Sequence, residues 1–360
     1  MTSPALATPT IAFPEAAART AAQPPEYRGL GRDGVRMLVA GPEAITHTTF
    51  AAMAEHLRPG DLVVVNTSAT RPAEIDADRD GTPVVAHLGT PLDDGAWVVE
   101  LRSAPDAAQV VLDAQPAEVL TIAGGLCLQL IQPYPEASSS PTGAGNRLWR
   151  SRLVEGGRGP SDLADHLSWH GRPIQYGYLD QPYPLADYQT VFAEQVGSAE
   201  MPSAARPFTA DLVTRLIARG VGVAPVVLHT GLSSQEAGEA PQPEWFSVPA
   251  ATAHSVRGTQ ARGGRVVAAG TTATRALESA VGPDGRIGPA SGWTTRIVTP
   301  QEPPQVVTGL ITGWHDPQAS HLLLVEAVAG ARLAQQAYDA AVAQSYLWHE
   351  FGDSALLLPA

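Results

Sequence analysis

The stretch RVVAAGTTATRALES, residues 265–279, reads as a strand running directly into a helix, and that reading decides the fold. Behind Arg265 comes Val-Val-Ala-Ala, an unbroken apolar run of the kind buried on both faces of a parallel sheet. Gly270 permits close backbone approach, Thr271 and Thr272 add two hydroxyls, and a helix is predicted over 274–281. The free N–H groups at a helix start, beside two hydroxyls, suit a carboxylate or another anion. Arg275 and Glu278 fall in the first turns of this helix, within reach of such a ligand.

The same alternation continues outward. Strands are predicted at 62–65, 221–229 and 305–312, and helices at 208–219, 252–262 and 321–346. Thr209 is placed to cap the helix at 208–219, and Gly220 to end it. Strands alternating with helices predict a mainly parallel sheet, with ligands where strands end. Two further strand ends carry Leu228-His229-Thr230-Gly231 and Thr312-Gly313-Trp314-His315, making His229 and His315 candidate acid–base groups. Between 70 and 165 the texture changes to short runs at 83–88, 97–102, 118–122 and 126–132, punctuated by Gly, Pro and Asp. This predicts a small antiparallel barrel or sandwich. Residues 136–145 read as a loop.

Composition removes several mechanisms. All 23 basic side chains of the 360 residues are arginine, which excludes Schiff-base, pyridoxal-phosphate and Walker-type lysine chemistry. Thirty-six carboxylates bring the formal net charge to -13, so nucleic-acid binding would need a segregated basic patch. Arg147, Arg150, Arg152 and Arg158 are the candidates, read either as that patch or as a salt-bridge surface between domains. No apolar run is long enough for a bilayer, the first ten residues lack a basic stretch leading into an apolar one, and the lone Cys127 reads as a buried thiol. Together these predict a cytoplasmic protein with no membrane partner. The glycines at 29, 31 and 34 match GxGxxG without the flanking strand and helix, and read as a loop. His315 and His321 stand six apart around Pro317, and no metal is expected.

On these motifs the chain resembles the QueA family of the queuosine pathway, the S-adenosylmethionine:tRNA ribosyltransferase-isomerases. The resemblance is carried by Ile45-Thr46-His47, Arg58-Pro59-Gly60-Asp61-Leu62 through Asn66, and Tyr188-Gln189-Thr190-Val191-Phe192-Ala193. Residues 270–279, Gly309-Leu310-Ile311-Thr312 leading to His315, and Phe351-Gly352-Asp353 complete it. It implies an α/β domain with a mainly parallel sheet, residues 1–70 and 166–360, and a small inserted antiparallel β-barrel domain, residues 71–165. It also implies S-adenosylmethionine as co-substrate and no metal. The ribosyl group would pass to the amine of 7-aminomethyl-7-deazaguanine in tRNA, with release of adenine and methionine. Gly270, Thr271, Thr272 and Asn66 are then expected to bind the donor. His229 and His315 would act as acid–base or adenine-contacting groups beside Arg275, and Glu278 would orient Arg275 or face the sulfonium. The chain departs from the family where arginines usually stand, with Ala69 and Glu74, and in the loops at 201–208, 230–235, 241–246 and 313–315. Those departures leave open a small-molecule acceptor, or a protein that binds S-adenosylmethionine or a nucleoside without turnover.

Overall fold

The structure, a computed structural model, describes residues 7–14, 18–137, 143–155, 160–233, 238–317 and 319–359. Of the expectations above, loop residues 138–142, Arg158, Ser234 and Gln235 lie outside the described residues.

The larger unit is a nine-stranded sheet. Its central strands, Gly222–Leu228, Leu62–Asn66, Val266–Ala269 and Gly309–Thr312, are parallel and adjacent in that order. Trp245–Val248 and Ala290–Trp293 extend one side antiparallel. On the other side Ser354–Leu357 joins antiparallel, and Arg36–Ala40 and Ile45–Thr49 follow. The apolar run at 62–65 explains the layering: successive strand residues point to opposite faces. Leu62 and Val64 enter one core with Val256, Leu277 and Leu324, while Val63 and Val65 enter the other with Phe50, Phe208 and Leu212.

Six α-helices lie among the described residues: α1 Pro160–His170, α2 Ala210–Ala218, α3 Ala250–Ala261, α4 Gly270–Ser279, α5 His321–Ala329 and α6 Ala331–Ala343. The Thr209 hydroxyl caps α2 by accepting from the Leu212 N–H, 3.2 Å away. Three predicted boundaries move. The helix expected from 274 begins at Gly270, whose φ of +97° turns the chain from strand into helix with no intervening loop. The long helix expected over 321–346 breaks at Gly330, where φ 77° and ψ 143° are not helical. The strand expected from 305 begins only at Gly309, because the N–H groups of Gln305, Val306 and Val307 point at the Glu278 carboxylate instead.

The smaller unit is a closed antiparallel barrel, in the order Cys127–Pro133, Leu148–Glu155, Trp97–Ser103, Thr82–Pro91, Glu74–Arg79, Val119–Ile122. Glu74–Arg79 and Leu148–Glu155 were not visible as strands, since charged residues on the outer wall mask the alternation. Leu163 and Leu167 of α1 join Leu120, Leu128 and Trp149 in the barrel core. The chain enters and leaves the barrel where the N–H groups of Ala73 and Glu74 donate to the Arg172 carbonyl, at 2.9 and 3.0 Å. We therefore place the end of the insertion at Arg172, because the expected limit at 165 falls inside α1.

In the barrel one sequence expectation is corrected and one open choice is decided. Cys127 lies at the start of its strand, half-buried rather than in the core. Of the two readings of the arginines, the described ones, Arg147, Arg150 and Arg152, follow the salt-bridge surface. Arg147 is buried between Glu100 (2.8 Å) and Glu239 (2.5 Å), and Arg150 and Arg152 share Asp94 at 2.5 and 2.7 Å. Ala69 and Glu74 are buried as well, so the exchange of arginine at these positions concerns the interior. Among the described residues no helix is long and apolar enough to cross a membrane.

Candidate active site

The central strands are parallel and in register, with Leu62 opposite both Gly222 and Val266, and Val267 opposite Gly309. Their carboxyl ends therefore fall on one edge, where the departing loops enclose a cavity of about 700 Å³.

The start of α4 supplies one wall. Thr271, Thr272 and Arg275 face the cavity beside Gln242 and Glu244. The Arg275 guanidinium is held by the Glu244 carboxylate, and its Nη2 donates to the Gln242 carbonyl and the Thr294 hydroxyl, both at 2.8 Å. Glu244 also accepts from the Gly231 N–H at 2.9 Å. Thr272 Oγ1, Arg275 Nε and Gln242 Oε1 are buried and have no hydrogen-bond partner among the described residues. Buried polar atoms ordinarily have partners, so three beside one cavity mark a place built for a polar ligand.

Two imidazoles supply the second wall. His315 Nε2 lies 3.1 Å from Thr312 Oγ1, and its ring stacks on His321 at 4.8 Å. Burial, aided by His321 and His349, pushes His315 well below its ordinary pKa, and burial with Arg275 nearby pushes His321 down to about 4. Both rings are neutral at neutral pH. The third wall follows the barrel exit. The Tyr176 hydroxyl donates to Glu200 at 2.6 Å, and the Tyr178 hydroxyl donates to Glu350. Tyr178 stacks on His349 at 4.7 Å, and His349 lies 3.5 Å from Asp316. Burial raises the Glu350 carboxyl despite the Tyr178 hydrogen bond, which opposes the shift.

The fold thus brings together Gly270, Thr271, Thr272, Arg275 and His315, and leaves three expected residues elsewhere. Glu278, one turn after Arg275, points away from the cavity. Its carboxylate accepts the N–H groups of Gln305 (2.8 Å), Val306 (2.9 Å) and Val307 (3.0 Å) and pairs with Arg296 at 3.1 Å. Asn66 is fully buried and ties two strands together, donating to the Leu228 carbonyl and accepting from the Leu228 and Ser68 N–H groups. His229 lies outside the cavity lining, stacked on Trp245 at 5.3 Å with Nδ1 2.8 Å from Ser68 Oγ. Burial, then Arg71, lowers its pKa. Sequence reasoning placed neither Tyr178 nor Glu200 in a site. It set a metal aside for His321 and His349 and read them as hydrogen-bonding or acid–base groups, or as capped core residues, without placing them in this cavity.

A family model described as queuosine biosynthesis protein matches residues 12–357. The chain belongs to that family. It is 34% identical over 338 residues to the S-adenosylmethionine:tRNA ribosyltransferase-isomerase of Acidiphilium cryptum, covering 91% of this chain and 93% of the relative. The protein of the same name from Synechococcus elongatus is 32% identical over 360 residues, covering 96% and 93%. Among solved structures, the S-adenosylmethionine tRNA ribosyltransferase of Thermotoga maritima is 27% identical, covers 91% of this chain and 93% of its own, and has a TM-score of 0.48.

Proposed function

We propose that the protein is an S-adenosylmethionine-dependent ribosyltransferase-isomerase that moves the ribosyl group to an amine on tRNA, releasing adenine and methionine. Its relatives in the queuosine biosynthesis family, 30–34% identical, carry that enzyme name. The observation that carries the reading is the charge of the cavity. Among the described residues Glu200, Glu244 and Asp316 line it against the single guanidinium of Arg275, which Glu244 holds. Such a wall suits a ligand with two positive centres, the sulfonium and the α-ammonium of S-adenosylmethionine.

In this reading the methionine carboxylate lies at the start of α4, against Thr271, Thr272 and Arg275. The neutral imidazoles of His315 and His321 accept the proton lost from the ribose carbon or hydrogen-bond the adenine. Glu350, whose burial favours the protonated form at a pH where an exposed carboxyl is ionised, donates to the departing base. Glu200 faces the sulfonium. Gly270 opens the turn that aims these groups.

The test is incubation with ribosyl-labelled S-adenosylmethionine, with and without tRNA carrying 7-aminomethyl-7-deazaguanine. Adenine and methionine should appear in equal amounts, with label on the tRNA. The absence of both products would overturn the assignment, and label on the free base alone would move the acceptor to a small molecule.

A further inference from the structure

On the outer wall of the barrel, where it meets the sheet domain, a charged network is buried that the reaction does not use. His87 is completely buried, with Nε2 3.0 Å from Glu74 and Nδ1 3.2 Å from Glu100. A neutral imidazole carries one N–H and one lone pair, so it can satisfy only one of two carboxylates; facing both, the ring is a double donor and a cation. Two arms lead from it to the cavity. On the first, Glu74 accepts the Gln175 N–H at 3.1 Å and Arg172 Nε at 2.6 Å. The next residue, Tyr176, packs edge-on against His87 at 6.4 Å and donates to Glu200, which in turn accepts the Ser233 N–H at 2.9 Å. On the second arm, Glu100 binds Arg147, Arg147 binds Glu239, and the chain continues through Gln242 to Arg275.

We propose that His87 is a positioning residue for the cavity: its clasp between Glu74 and Glu100 fixes where Tyr176 holds Glu200, so that the inserted barrel sets the geometry of the donor site. The inference rests on the reading that this cavity takes S-adenosylmethionine. The groups facing the imidazole are Glu74, Glu100 and Tyr176, with Arg172, Arg147 and Arg102 behind them. Burial opposes the charge on His87, but its hydrogen bonds to Glu100 and Glu74 outweigh burial and raise its pKa. The clasp is therefore present at low pH and is lost as pH rises through that raised value.

Calorimetric binding of S-adenosylmethionine and adenine release are measured together for the wild type, His87→Gln, and the double variant His87→Gln/Glu74→Gln, with thermal melting in parallel. His87→Gln should weaken S-adenosylmethionine affinity and kcat/KM about tenfold or more. The wild type should lose affinity as pH rises, and His87→Gln should remove that dependence. The double variant removes a buried carboxylate that keeps Arg172 but has lost its second cationic partner, so it should recover melting temperature while affinity stays low. Unchanged affinity in His87→Gln, or recovery of affinity together with melting temperature in the double variant, overturns the inference and leaves His87 a structural bridge. A wild type that binds S-adenosylmethionine but releases no adenine would sink the catalytic assignment alone, because the binding comparison still decides the role of His87.

Discussion

Glu278 and Thr272 lie on the same helix, and both were singled out by type, yet their surroundings give them different work. Glu278 takes three backbone N–H groups and Arg296 in a site from which water is excluded. Glu278→Ala leaves these donors without an acceptor and should cost about 3–5 kcal/mol by chemical denaturation. The Thr272 hydroxyl has no partner among the described residues. Thr272→Val keeps the shape, so stability should stay within about 0.5 kcal/mol. The KM for S-adenosylmethionine should rise about three- to tenfold, the worth of one hydrogen bond. A drop in stability for Thr272→Val without a change in KM would mark the hydroxyl as structural.

At the scale of elements, the periodicity was strong wherever burial was one-sided or complete. The strands at 62–66 and 266–269 and the capped helix α2 were legible because apolar runs and a threonine cap are local signals. Starts and breaks were less so. The φ of +97° at Gly270 removes the loop expected between strand and helix, and the same angle makes the position intolerant. Gly270→Ala forces a Cβ into that conformation, 3.1 Å from the Ala204 Cβ, and should cost roughly 1–3 kcal/mol. S-adenosylmethionine affinity should fall with it, since the turn aims Thr271 and Thr272; denaturation and calorimetry on one preparation check both. The arginines in and beside the strand Leu148–Glu155 left two readings open because their partners are remote in sequence: Asp94 for Arg150 and Arg152, and Glu100 and Glu239 for the adjoining Arg147.

Across the whole molecule, titration works in two directions. His321 is held down to about 4 by burial, then by Arg275, so below its ordinary value of 6.5 the unfolded chain binds a proton that the native state refuses. Stability from this group is present above pH 6.5 and is lost as pH falls toward 4, by up to about 1.4 kcal/mol per pH unit. His321→Asn should flatten the urea midpoint across that window relative to wild type; identical slopes would refute the assignment. His87, with its pKa raised, has the opposite sign and favours the folded state at lower pH.

The charge of -13 and the absence of lysine were properties of the chain alone, as were the parallel strand–helix alternation, the family and the α4 end of the site. These follow from local pattern, because side-chain period, caps and turn glycines act over a few residues. Only the tertiary structure decided that Glu278, Asn66 and His229 stand away from the cavity while His321, Glu200 and Glu350 line it. It alone also showed the arginines near 150 paired within the protein. The physical reason is range: whether a polar side chain is left over for a ligand depends on which distant donors and acceptors the fold brings within about 3 Å of it.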